Sequence, residues 1–289
     1  MTLAPIDLLH RGVKRNVGCY LLETADGPAL FDCGPTTCLP ALKAGLAERG
    51  LELGEIRHLL LSHIHFDHAG AAGAIVREHP AVEVHVSAVG APHLVDPSRL
   101  EASARRLYGD AFDGLWGELV AVPSDNIRIA GDNVVGLECF PSTGHASHHV
   151  SMLHEDGTLY AGDAAGVRVA PARFVAAPTP PPDIDLEAWE ETITAIEKRA
   201  PARLALTHFG VFEDVSAHLA RLRTTLHSWS DRVGHGMDEA TFVAAAYADC
   251  LASDPDEVNA YELPAPYDQC FQGLERYWRK RREATAATR

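Results

Sequence analysis

Leu59-Leu60-Leu61-Ser62-His63-Ile64-His65-Phe66-Asp67-His68-Ala69-Gly70 opens as an apolar run and ends in four potential metal ligands within six residues. The leucines read as a buried strand. Side chains at i and i+2 of an extended segment point the same way, so His63 and His65 converge on one ion just beyond the strand end. After Phe66 the alternation stops, and Ala69 to Val76 reads as a helix beginning near His68. That turn throws Asp67 and His68 to a different side, where they are placed to hold a second ion beside the first. Imidazole suits zinc and iron, and a carboxylate adds a hard oxygen donor that zinc, iron and manganese accept. Four ligand types in the pattern His-x-His-x-Asp-His point to a metal rather than to surface histidines or helix caps.

Further motifs stand in order along the chain: Phe31-Asp32-Cys33-Gly34, Ser142-Thr143-Gly144-His145, Tyr160-Ala161-Gly162-Asp163 and Leu206-Thr207-His208-Phe209-Gly210. With His63 to His68, this series resembles the metallo-β-lactamase fold hydrolases from about Asn16 to Gly210. The resemblance implies an α/β chain built as an αββα sandwich, with a helical appendage at its C-terminal end. It implies His145 as third imidazole for the first metal, Asp163 as a carboxylate spanning both, and His208 completing the second with Asp67 and His68. Asp32 and His149 then stand behind the ligands as orienting groups, as ligand imidazoles commonly require. His148 takes a place where the family usually has glycine, and Ser142 one where it usually has proline.

The chain has 289 residues, 46% apolar and 22% charged, enough for one large domain plus an appendage or two smaller domains. We expect a catalytic domain over 1–214 and helices over 215–289. A formal net charge of −15, from 40 acidic and 25 basic residues, argues against nucleic-acid and anionic-membrane partners. Cys19, Cys33, Cys38, Cys139, Cys250 and Cys270 show no paired spacing, so reduced, mostly buried thiols are expected. The start lacks a basic-then-apolar leader and no apolar run is long enough to span a bilayer, which predicts a cytoplasmic protein.

Val17–Leu22 and Ala29–Asp32 read as a hairpin around Thr-Ala-Asp-Gly-Pro, and Thr37–Arg49 as a core-facing helix closed by Gly50. Val82, Val84 and Val86 share one face of a strand. That puts His85 on a polar face, and His85, like His58, His79 and His93, reads as solvated or structural. Residues 92–119 read as mainly helical, with Leu100, Leu107, Tyr108, Phe112 and Trp116 available to cover either a core or the mouth of the site. Ile127–Ala130, Val134–Phe140, Val150–Leu153, Thr158–Tyr160 and Leu204–Thr207 read as strands. The proline-rich 170–185 reads as a stiff irregular connection. Arg168 and Arg173, near it, read either as anion-binding or as surface charges. From Asp214 onward the pattern is helical, an appendage that in this fold covers the pocket or mediates dimerisation, so a homodimer is one expected assembly.

Two divalent ions side by side present a bridging hydroxide to an electrophilic carbon or phosphorus. Asp67 is the expected catalytic residue, orienting the hydroxide and carrying its proton to the leaving group. The expected function is hydrolysis of an ester, thioester, lactone or phosphoester in a small molecule, with zinc as the first choice of metal and iron or manganese as alternatives. The chain lacks the Gly-Cys-Gly-Arg run of the hydroxyacylglutathione hydrolases and persulfide dioxygenases. It also lacks a tyrosine between Asp163 and Phe174, which the acyl-homoserine lactonases carry. It most resembles a branch of metal-dependent hydrolases only distantly like the former. Two other classes stand beside this one: a non-haem iron dioxygenase of sulfur compounds using His63, His145 and Asp163, and a metal-binding protein without catalysis.

Overall fold

The computed structural model describes residues 3–287. Among the described residues twelve strands form two six-stranded sheets. The first runs β1 (Ile6–Asp7), β2 (Gly18–Thr24), β3 (Gly27–Phe31), β4 (His58–Leu60), β5 (Glu83–Val86) and β6 (Ile127–Ile129), in spatial as in chain order. The second comprises β7 (Asn133–Val134), β8 (Leu137–Pro141), β9 (Val150–Leu153), β10 (Thr158–Tyr160), β11 (Arg203–Leu206) and β12 (Gly210–Phe212), ordered β12-β11-β10-β9-β8-β7. The helices are α1 (Leu39–Ala47), α2 (Phe66–Ala69), α3 (Ala72–Glu78), α4 (Ala91–Val95), α5 (Ser98–Tyr108), α6 (Phe112–Trp116), α7 (Leu186–Arg199), α8 (Val215–Gly234), α9 (Glu239–Ser253) and α10 (Tyr267–Ala287).

Strand alternation sorts the side chains into three layers. Ala29 and Phe31 of β3, Tyr160 of β10 and Ala205 of β11 meet between the sheets, with Leu60 and Met152. Their neighbours point outward. Leu30, Leu59 and Val84 pack against Leu42 and Leu46 of α1 and Ile75 of α3. On the other outer face Leu159, Leu204 and Leu206 pack against Trp189 and Ile193 of α7 and Leu219 and Leu222 of α8. The result is helix, sheet, sheet, helix. Phe242 of α9 and Leu274 of α10 join this last cluster, so the C-terminal helices are continuous with the second outer layer.

The hairpin before Asp32 forms with Thr24 opposite Gly27, and the six cysteines are all buried and unpaired. Helix α2 starts at Phe66, two residues before the expected position, and breaks from α3 at Gly70–Ala71. The run Val134–Phe140 is not one strand: Val135 (φ 43°) and Gly136 (φ 96°) turn the chain between β7 and β8. Two successive positive φ values suit a tight hairpin turn, and a β-branched residue there hides it from the sequence. β12 was not foreseen, since three residues are too few to show alternation. His85 is not on a solvated face. It lies under the sheet rim at 8% exposure, where burial pushes its imidazole down to about 4. His58 is buried with it. Among the described residues no helix is long and apolar enough to cross a membrane.

Candidate metal centre

Strands β3 and β4 run parallel, as do β10 and β11, and the chemistry-bearing residues follow their carboxyl ends. Asp32 comes directly after β3, His63 to His68 after β4, Asp163 after β10 and His208 after β11. The loop after β8 brings His145, helped by Gly144 at φ +130°, where a Cβ would lie 2.3 Å from that of Trp189.

The seven side chains expected as ligands meet. His63, His65 and His145 present donor atoms within 4.8 Å of one another, as do His63, His68 and Asp163, and Asp67, His68 and His208. His65 Nδ1 faces His145 Nε2 at 3.0 Å. Asp163 lies between the groups, with Oδ2 3.3 Å from His145 Nε2 and Oδ1 3.4 Å from His68 Nε2. His208 Nε2 is 3.3 Å from Asp67 Oδ2.

The imidazoles are held from behind. His68 Nδ1 donates to Asp32 Oδ2 at 2.7 Å, His145 Nδ1 to the Pro178 carbonyl at 2.8 Å, and His208 Nδ1 to the Asn16 carbonyl at 2.6 Å. His63 Nδ1 lies 3.0 Å from Ser62 Oγ. These bonds set the tautomers and leave Nε2 facing inward. Asp32 is fully buried in a left-handed conformation (φ 53°) and also accepts from Ser62 and Thr207. His149 Nε2 accepts the Asp163 N–H at 3.2 Å, and its Nδ1 pairs with Ser142 Oγ at 2.8 Å. Ser62, Thr207 and Asn16 were not singled out from the sequence. Ser62 and Thr207 immediately precede His63 and His208, which was the available signal.

Asp32→Ala would strand several buried donors, each of which needs a partner. The expected loss is about 3 kcal/mol of folding stability, read from urea unfolding of the metal-free protein.

His63, His68 and His208 each keep a buried Nε2 without a hydrogen-bond partner, and Asp163 a buried Oδ1. Orphaned polar atoms of this kind require an explanation. Burial, joined by neighbouring imidazoles, pushes His63 and His65 well below the usual histidine range. Burial pushes His68 down as well, but Asp163, Asp32 and Asp67 outweigh it and raise the ring well above its ordinary value. His208 is raised in the same way by Asp163 and Asp67. A divalent cation among these donors would supply the positive charge that protons on His68 and His208 otherwise provide. The residues therefore fit metal.

One flank of the centre is aromatic. Phe66 packs on Phe112 and Trp116, Trp116 stacks on His10 at 5.3 Å, and Tyr108 meets Trp116 edge-on. Tyr108 feels the charge of Asp67 and bonds Gln269 of α10. Segment 92–119 thus borders the site while Phe112 also fills a core, and Leu107 does neither, being 54% exposed. His148 faces the site: its ring lies 5.6 Å from that of His65, and its Nδ1 is buried without a partner. Arg168 is neither an anion binder nor a surface charge. It is buried against Phe212 and paired with Asp214 at 2.6 Å. Arg173 is exposed.

Two packed sheets between helical layers, with the cluster of metal-capable side chains at the carboxyl ends of their strands, define an αββα sandwich with a candidate metal centre. The chain belongs to the metallo-beta-lactamase superfamily, whose family model matches residues 13–208. It is 26% identical over 199 residues to the uncharacterized protein YobT of Bacillus subtilis (strain 168), covering 66% of this chain and 82% of that one. It is 28% identical over 180 residues to an N-acyl homoserine lactonase of a Bacillus species, covering 53% of this chain and 62% of the lactonase. Its fold is similar to that of the archaeal superfamily protein ST1585 from Sulfolobus tokodaii, with a TM-score of 0.68 at 19% identity, covering 94% and 96% of the two chains.

Proposed function

We propose that the chain is a dinuclear metal-dependent hydrolase acting on an ester, thioester, lactone or phosphoester bond of a small molecule. The observation that carries this reading is the set of four buried, unpartnered donor atoms on His63, His68, Asp163 and His208, all within the cluster that His65, Asp67 and His145 complete. His63, His65 and His145 would hold one ion, Asp67, His68 and His208 the other, and Asp163 would touch both. Two divalent ions so held would supply Lewis acidity and a hydroxide nucleophile at neutral pH, with zinc the first candidate. Asp67 has the most exposed side chain of the carboxylates here, at 26% against 6% for Asp163. It would orient the attacking oxygen, receive its proton at a carboxylate oxygen and pass it to the leaving group. Asp32 and His149 keep His68 and Asp163 aimed.

The aromatic flank of Phe66, Tyr108 and Trp116 suits an organic acyl group, and the similarity to N-acyl homoserine lactonases favours the three acyl bonds over the phosphoester. In this reading residues 1–214 carry the catalysis and α8, α9 and α10 close one side of the site. The test is a panel of carboxylic esters, thioesters, lactones and phosphodiesters, assayed as purified, after chelation and after addition of zinc or manganese. Hydrolysis lost on chelation and restored by metal is expected. Turnover that survives complete metal removal would refute the reading.

A further inference from the structure

At the amino ends of β4 and β5, the opposite edge of the first sheet from the centre above, two imidazoles and a carboxylate converge. His58 stands directly opposite Glu83 in the parallel register, and His85 follows two residues later on the same face. His58 Nδ1 lies 3.1 Å from His85 Nε2 and 3.5 Å from Glu83 Oε2, and the remaining edge of this triangle is 4.0 Å. Ligands at zinc bond lengths around a tetrahedral ion are separated by about 3.3 Å. The two edges at His58 match, and the third is longer. The facing of the two imidazoles also repeats that of His65 and His145 in the main centre, at 3.0 Å.

The surroundings are built for it. His58 and His85 are 6% and 8% exposed. Glu83 Oε1 is held by Arg128 Nη2 at 2.6 Å and Nε at 2.9 Å, which fixes the carboxylate and leaves Oε2 turned to the histidines. The far nitrogen of His58, Nε2, is buried and has no hydrogen-bond partner. Asp26 and Glu83 add negative charge beside the ring, against Arg57 and Arg128.

We propose that His58, Glu83 and His85 form a separate binding site for a divalent transition-metal ion, zinc being the best match to two nitrogens and one oxygen. Glu83, one-third exposed, leaves a water-accessible fourth position. His58 opens β4 while His63 follows its carboxyl end, and the two groups of donors share no residue, so this ion is distinct from those of the catalytic centre. It would tie β4 to β5 at the end of the sheet where no catalytic loop holds them.

The experiment is zinc loading of the whole protein, followed by removal of free metal, elemental analysis and an anomalous difference map at the zinc edge. The expected result is a peak bounded by His58, Glu83 and His85, and one zinc fewer per chain in His85→Gln than in the wild type. The map on wild-type crystals decides the matter even where the variant folds poorly. No peak at this position while His63 and His145 carry one, or equal zinc in both proteins, would overturn the proposal, and either result would leave the hydrolase reading standing.

Discussion

Asp163→Ala is expected to lower hydrolysis of whichever panel substrate the wild type cleaves by at least about a thousandfold, roughly 4 kcal/mol of transition-state stabilisation. The reason is geometric: its two oxygens lie 3.3 Å from His145 Nε2 and 3.4 Å from His68 Nε2, so one side chain serves both donor groups. The backbone N–H that donates to His149 is untouched by the substitution. The loop after β10 therefore keeps its anchor. Removing a buried carboxylate from the metal-free protein also removes the charge that raises His68 and His208. The variant should fold, and it should lose the rise in melting temperature that added metal gives the wild type. Unchanged activity, or an undiminished metal-induced rise in Tm, would count against Asp163 as the shared ligand.

His208→Ala is expected to act on one half of the centre. It deletes a donor from the group with Asp67 and His68 but leaves His63, His65 and His145 intact. Loss of one bound ion with retention of the other is the predicted outcome, with activity down about a hundredfold, or 3 kcal/mol. Elemental analysis beside steady-state kinetics reads both. Loss of both ions, or of neither, would show that the two groups of donors do not bind as described.

The centre was legible in the sequence because metal chemistry needs particular residue types at short spacing, and His63 to His68 supplies four of them in six positions. The partners contributed by distant strands, Asp32, His145, Asp163 and His208, became legible only through their motifs and the family those motifs resemble. What stayed hidden is long-range. His208 is oriented by the Asn16 carbonyl, 192 residues away, and Asp32 by Thr207, 175 residues away. No local pattern encodes such a pairing. Burial of His58 and His85 was hidden for a related reason: alternation separates two faces of a strand, but only the second sheet decides that the face opposite the helices is also covered. Arg168 shows the converse, a charge that composition places at the surface and packing places beneath Phe212.

The most direct test of the dinuclear centre is anomalous scattering from crystals grown with saturating zinc. The account predicts two peaks at the carboxyl ends of β4, β10 and β11, one within bonding distance of His63, His65 and His145 and the other of Asp67, His68 and His208, with Asp163 between them. A single peak among these seven residues at saturating metal, or none, would contradict it.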